Sequence, residues 1–191
     1  MRAEGVGALS LNEVARRLGM KTPSLYTYFD SKHALYDELF RIGMQMYRRR
    51  LAELFARHQF DDDLLEAGIA NYMAFADENP DLYSLLFERP EPGFVPSGAS
   101  MVEASGLLED AERQFQAALD AGLLRSGLDA AATRDLFIAV MHGLTSLKRA
   151  NEPDAPITSG RFGPLVPAAA SLIKAAWVAP PSPAHATKET P

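Results

Sequence analysis

Residues 10–35 read SLNEVARRLGMKTPSLYTYFDSKHAL, and the fold is decided inside this stretch. Leu11, Val14, Ala15 and Leu18 recur at helical steps of three and four. Ser10 with Glu13 three positions on has the spacing of a capping box. Gly19 supplies the stop, because glycine takes the left-handed conformation that closes a helix. Thr22 reads as the cap of a second, short helix running from Pro23 to about Tyr28, with proline where a missing N–H costs nothing. Ser31 caps a third, long helix reaching about His58.

Outward from that stretch the chain keeps predicting helices and no strand, so the fold class is all-α. The long helix carries two stripes, Leu35, Leu39, Ile42 and Met46 on one side and Phe40, Met44, Tyr47, Leu51 and Leu54 on another. Two stripes imply two neighbours. Asp61, Asp62 and Asp63 suit a helix start, where the dipole favours negative charge. Leu65, Ile69, Tyr72, Met73 and Ala76 then hold helical spacing up to Pro80. Pro80 to Phe87 reads as a short helix and residues 88–99, with Pro90, Pro92, Gly93, Pro96 and Gly98, as a loop. Met101, Leu108, Ala111, Phe115 and Ala118 trace a helix ending at Gly122. Asp129 opens the next, to about Ala150. After a Pro/Gly-rich connection, Phe162 to Trp177 trace the last. The Ala/Pro-rich tail 179–191 is too poor in large apolar groups to build a core and is expected to be disordered.

Composition narrows the function classes. The 191 residues are 47% hydrophobic and contain no cysteine. That excludes a wholly disordered chain, disulfides, thiolate catalysis and Cys-ligated metals. No apolar run of about 18 residues exists to span a membrane, and a cytoplasmic setting is expected. The net charge of −6 hides an asymmetry. Residues 1–58 hold ten Lys/Arg against six Asp/Glu, a net of +4; the remainder hold nine against nineteen, a net of −10. A basic end on an acidic body suits a polyanion met at one end only.

Two short helices joined by Gly19-Met20-Lys21 form a helix-turn-helix pattern, or a plain helical hairpin of the same spacing. In the DNA-binding version the second helix enters the major groove and the first crosses the backbone. Here Lys21, Thr22, Ser24, Tyr26, Thr27 and Tyr28 offer donors around Pro23, while Leu25 and Phe29 face inward. Ser10 and Lys32 sit at helix starts, where phosphate can be held.

Residues 10–35 resemble the DNA-binding head of the tetracycline-repressor (TetR) family, through the Val-Ala pair, the Gly turn, Leu-Tyr then Tyr-Phe, and Ser-Lys before Ala-Leu. Asn79 to Phe87 and Val140-Met141-His142-Gly143-Leu144 are similar to the TetR regulators whose ligand domain is named for a Trp-His-Gly triplet, with Met141 in place of the Trp. The resemblance implies a head at 1–45, a helical ligand-binding and dimerisation body at 46–178, and a homodimer. It implies double-stranded operator DNA and a small-molecule effector as partners. One departure stands out. The family head has a full helix before the glycine that matches Gly5 or Gly7 here, and only Met1 to Glu4 precede it. Four residues do not sustain a helix. The first helix is therefore expected to be largely missing, through a start assigned too far downstream, a cut chain or a natural loss, and Leu11, Val14 and Leu35 to lose cover; with a natural loss, DNA binding is expected to be weakened.

For the pairing surface, Ala132, Leu136, Ala139, Gly143, Ser146 and Ala150 form a mostly small stripe that admits a close helix. Leu165, Ala169 and Leu172 of the last helix are assigned beside it, and Phe137, Val140, Leu144 and Leu147 to the core. The same small stripe also suits packing within one subunit. The effector pocket is expected among Tyr72, Phe75, Phe87, Phe94, Phe115, Met141 and His142, a set fitting an apolar or aromatic molecule. Each is equally a core residue by type. No cofactor is implied. No phosphate loop, dinucleotide fingerprint, nucleophile elbow or metal-spaced histidine set occurs, so no enzyme is expected. Arg48-Arg49-Arg50 reads as a solvated face or a contact to the body. The competing reading is a helical small-molecule carrier whose head no longer docks on DNA.

Overall fold

The computed structural model describes residues 9–58, 60, 62–89 and 91–180. Helix α1 spans Leu11–Arg17, α2 Thr22–Tyr26 and α3 Lys32–Arg57. Helix α4, Asp62–Glu78, is followed by α5, Pro80–Tyr83, and a π-helical turn, Ser84–Glu88. Then come α6, Gly98–Asp120, and α7, Ala130–Asn151. A 3-10 turn, Gly163–Leu165, leads into α8, Val166–Trp177. Extended pairing among the described residues is confined to one antiparallel bridge between Leu124 and Val178, so the all-α expectation holds. Residues 1–8, where the expected loss of the first helix falls, and Gln59, Asp61, Pro90 and 181–191 lie outside the described residues.

Backbone contacts divide the chain into two units, Met1–Arg57 with Ala70–Asp110, and His58–Ile69 with Ala111–Pro191. In the first, the head core is Leu11, Ala15, Leu25 and Leu35, with Leu9, Val14, Met20, Phe29 and Leu39 against it. Leu11 and Leu35 are buried and Val14 half-buried, so the expected loss of cover does not occur at the two leucines. Further along α3, Tyr36, Phe40, Met44 and Tyr47 are buried, as are Tyr72, Met73, Phe75 and Ala76 of α4. Arg48 pairs with Glu103 and Asp110, and Arg50 with Asn71 and Glu78. Of this arginine run, Arg48 and Arg50 are held in contacts and Arg49 is exposed.

In the second unit, Phe60, Phe115, Phe137 and Trp177 form a ring cluster, with centroids 5.6 Å apart for Phe60–Phe115 and 6.2 Å for Phe115–Trp177. The Asp129 carboxylate accepts from the Ala132 N–H at 2.7 Å and caps α7. Arg125 donates to the carbonyls of Ala175 and Val178, covering the C-terminal carbonyls of α8. Ala179, assigned to the tail, donates its N–H to the Leu123 carbonyl at 2.9 Å.

Several sequence expectations need correction. Ser10 occupies the N-cap of α1 but makes no side-chain cap bond, and Glu13 turns toward Arg16 and Arg17 instead of back to the start, so neither half of the capping box forms. Lys21, not Thr22, holds the N-cap position of α2, which places Thr22 and Pro23 in its first turn. Ile42 and Met46 are partly exposed, and Tyr36 takes the inward place on α3. On α6, Met101 and Leu108 face outward while Ser100 and Leu107 are buried. Leu147 is exposed, and the buried stripe of α7 runs through Thr133, Phe137, Met141, Thr145 and Lys148.

Two substitutions check these contacts. A Cβ on Gly163 would stand 2.0 Å from the Ile157 carbonyl oxygen, which is backbone and cannot rotate away. Gly163→Ala is expected to cost about 2 kcal/mol or more in urea unfolding, and Asp129→Ala about 1 kcal/mol through the lost cap.

Candidate functional site

The turn between α1 and α2 is built by the Met20 N–H donating to the Ala15 carbonyl at 2.9 Å and the Gly19 N–H to Arg16 at 3.2 Å. This double closure needs a left-handed residue, and Gly19 supplies it with φ +66°. The turn presses Leu25 of α2 into the head core. With Leu25 inward, the rest of α2 faces out. Lys21, Pro23, Ser24, Tyr26, Thr27 and Tyr28 are exposed and Thr22 is half-buried. Tyr26 keeps 48% of its surface and Tyr28 72%. The Thr27 hydroxyl donates to the Ser24 carbonyl at 2.7 Å and still offers its lone pairs outward. Ser10 is exposed as well.

Lys32 opens α3 directly after Ser31, whose hydroxyl accepts from the Ala34 N–H at 3.1 Å. Its ammonium lies 3.2 Å from Glu91 and 5.3 Å from the Tyr36 ring centroid. Partial burial pulls its pKa down, but hydrogen bonds to Tyr36 and Glu91 outweigh that and hold it above the usual lysine value. On α1, Arg16 and Arg17 are exposed cations that share the Glu13 carboxylate. The hydrogen bonds from Arg16 and then Arg17 lower the Glu13 carboxyl to about 2.

The predicted pocket residues fall into separate groups. Tyr72, Phe75 and Phe87 share a cluster with Tyr47 and Tyr83, where Tyr47–Phe75 is 4.9 Å and Tyr72–Phe87 5.4 Å between centroids. Burial pushes the Tyr47 and Tyr72 phenols well above their ordinary value, so both stay neutral donors. Phe94 lies instead against His33, Tyr36 and Phe40. Phe115 belongs to the second unit's ring cluster, and there too Met141 is buried and His142 half-buried on α7. Of the pairing stripe, Ala132, Leu136, Ala139 and Ala150 are exposed and Gly143 and Ser146 half-buried. Leu165 and Leu172 are exposed and Ala169 is half-buried.

Residues 1–39 match the family model for bacterial regulatory proteins of the tetR family. The head is that of a tetR-family transcription regulator. Similar folds occur in a protein from Rhodococcus sp. RHA1, at 22% identity and TM-score 0.74, covering 90% of this chain and 86% of that one. They occur in the transcriptional regulator FadR from Bacillus subtilis, solved in complex with stearoyl-CoA, at 15% identity and TM-score 0.72, covering 88% and 89%. They occur also in the TetR family regulator PfmR from Thermus thermophilus, at 16% identity and TM-score 0.67, covering 92% of each. No curated protein matches the chain. No described helix is long and apolar enough to cross a membrane.

Seen as a tetR-family head, the sequence reading left out Arg16 and Arg17. They form a basic, exposed pair in the last turn of α1. It also missed Tyr47 and Tyr83, although Tyr47 falls on the buried stripe of α3.

The Glu13 bridge has a direct check. Its folded pKa of about 2 lies below the ordinary 4.5, so its contribution to stability is complete above the ordinary value and is lost as pH falls through about 2. A carbon-detected NMR titration is expected to find the Glu13 midpoint near its low value, and Arg16→Ala to move it up toward the ordinary one. A wild-type midpoint at the ordinary value would dismiss the bridge.

Proposed function

We propose that this chain is a ligand-responsive repressor that binds a palindromic operator as a homodimer and releases it on taking up a small apolar or aromatic molecule. The observation that carries this reading is the outer edge of α2. It presents hydroxyls and a lysine to solvent on a head of the tetR family. Two such heads, related by a dimer two-fold, would read half-sites in successive major grooves. Lys21, Ser10 and Lys32 would hold phosphates, and Thr22, Ser24, Tyr26, Thr27 and Tyr28 would reach base edges or backbone around Pro23.

The exposed faces of α7 and α8 support the dimer. Leu136 and Leu172 are large apolar groups in solvent, and nothing stands within 4 Å of a Cβ built on Gly143. A second helix can approach closely there. For the effector, the ring cluster of Tyr72, Phe75 and Phe87, with its neutral phenols, supports an apolar or aromatic molecule taken up in the first unit; Phe94, Phe115, Met141 and His142 belong to other groups and are not part of that cluster. FadR with stearoyl-CoA supports a body of this fold taking up a molecule with a long apolar chain. A body of the Trp-His-Gly type, partition at 45 and 178, and a cytoplasmic location complete the reading. An effector acts only through differential affinity for the two states of the head.

Selection of bound genomic fragments, followed by titration across salt, tests it. Affinity for a recovered palindrome is expected to fall steeply with salt, and Lys21→Ala to flatten the slope by about 0.9, one phosphate contact. Thr27→Ala is expected to relax discrimination at one base pair by about 1–3 kcal/mol. Leu136→Asp with Leu172→Asp is expected to give a monomer in sedimentation and to abolish palindrome binding. Salt-independent or absent fragment binding would reject the repressor in favour of the carrier.

A further inference from the structure

The segment between the π-helical turn and α6 is fastened to the first turns of α3 at both ends. At its far end the Ser97 N–H and hydroxyl both donate to the Asp37 carboxylate at 2.7 Å. At its near end Glu91 sits between two side chains of α3. One carboxylate oxygen lies 3.2 Å from the Lys32 ammonium, and the other accepts from the Tyr36 hydroxyl at 3.3 Å. The Glu91 side chain keeps only 13% of its surface and Lys32 33%. Phe94 wedges the segment in place against Tyr36, with centroids 5.7 Å apart. The segment is entered through Arg89, a non-glycine residue at φ +48°, a conformation that costs energy and persists only where its surroundings enforce it.

We propose that Glu91 is an intramolecular competitor for the phosphate that Lys32 would otherwise hold, so that docking on a duplex requires this ion pair to open. The inference rests on the reading of the head as a duplex-binding surface. Both partners of Lys32 are anions of the same kind: a carboxylate already at hydrogen-bond distance, and a phosphate brought by the duplex. While Glu91 keeps its place it cancels the Lys32 charge and sets a negative charge beside the docking edge, which opposes a polyanion. Glu91 also follows Phe87 by four residues, and Phe87 belongs to the ring cluster of Tyr47, Tyr72 and Tyr83. A change in that cluster therefore has a short covalent route to the lysine.

The test uses the full chain and a labelled duplex of mixed sequence, followed by anisotropy between about 50 and 200 mM salt. Wild type, Glu91→Gln, Lys32→Met and the double variant are compared. Glutamine keeps an acceptor for the Tyr36 hydroxyl and removes only the charge. Glu91→Gln is expected to tighten binding and to steepen the salt slope by about 0.9, one added phosphate contact. In the Lys32→Met background the same change is expected to do nothing. An unchanged slope in Glu91→Gln, with duplex binding intact, overturns the competition and leaves the head reading standing. An equal gain with Lys32→Met shows a general charge effect and also overturns it. Absence of salt-dependent binding in all four proteins overturns both readings.

Discussion

Burial of Leu25 is the contact on which the proposed interface depends. Helix α2 has five residues and one buried side chain. A helix that short has no stability of its own in water. Its position comes from Leu25 seated with Leu11, Ala15 and Leu35, and from the closed turn at Gly19. With that one leucine fixed inward, the period turns Ser24 and Thr27 away from the core, while Lys21 and Tyr28, a turn before and after Leu25, are exposed because they lie beyond the ends of α2. The polar edge is thus a by-product of one apolar contact, and α3 carries the result onward because it contributes Leu35 to the same cluster.

Much of this was legible in the sequence because caps and stops are local chemistry. Asp129, Ser31 and Gly19 act where their types say they should, since each needs only neighbours within a few residues. The capping box at Ser10 lost its Glu13 half for an equally local reason, because two arginines stood on the other side of Glu13. The stripes were harder. Periodicity gives a face but not its width, so Tyr36 rather than Ile42 turned inward on α3, and Leu107 rather than Leu108 on α6. Small phase errors of this kind are decided by the shape of the partner helix, which one sequence does not display.

The residues assigned to the body were legible as a class and not as a constellation. An aromatic side chain announces burial, yet Tyr72, Phe94 and Phe115 belong to three different ring groups. Of those assigned to the pocket, Tyr72, Phe75 and Phe87 share one ring cluster with Tyr47. The ion pairs that hold Arg48 and Arg50 link residues about thirty to sixty positions apart and left no trace in spacing. Arg16, Arg17 and Lys32 show the converse: basic residues on the head already share carboxylates of the same chain, so a charge count overstates what is offered to a polyanion.

The bridge between Leu124 and Val178 sets where the chain can be shortened. Val178 and Ala179 follow the last helix, and by composition they look expendable. They nonetheless staple the turn at 121–128 through the Trp177 carbonyl and the Ala179 N–H, and the Val178 carbonyl receives Arg125. A shortened gene that stops at Trp177 would lose the Val178 carbonyl and the Ala179 N–H, leaving Arg125 only its bonds to Ala175 and Trp177 and Leu123 without its partner from the tail; one that stops at Pro180 would keep every one of these bonds.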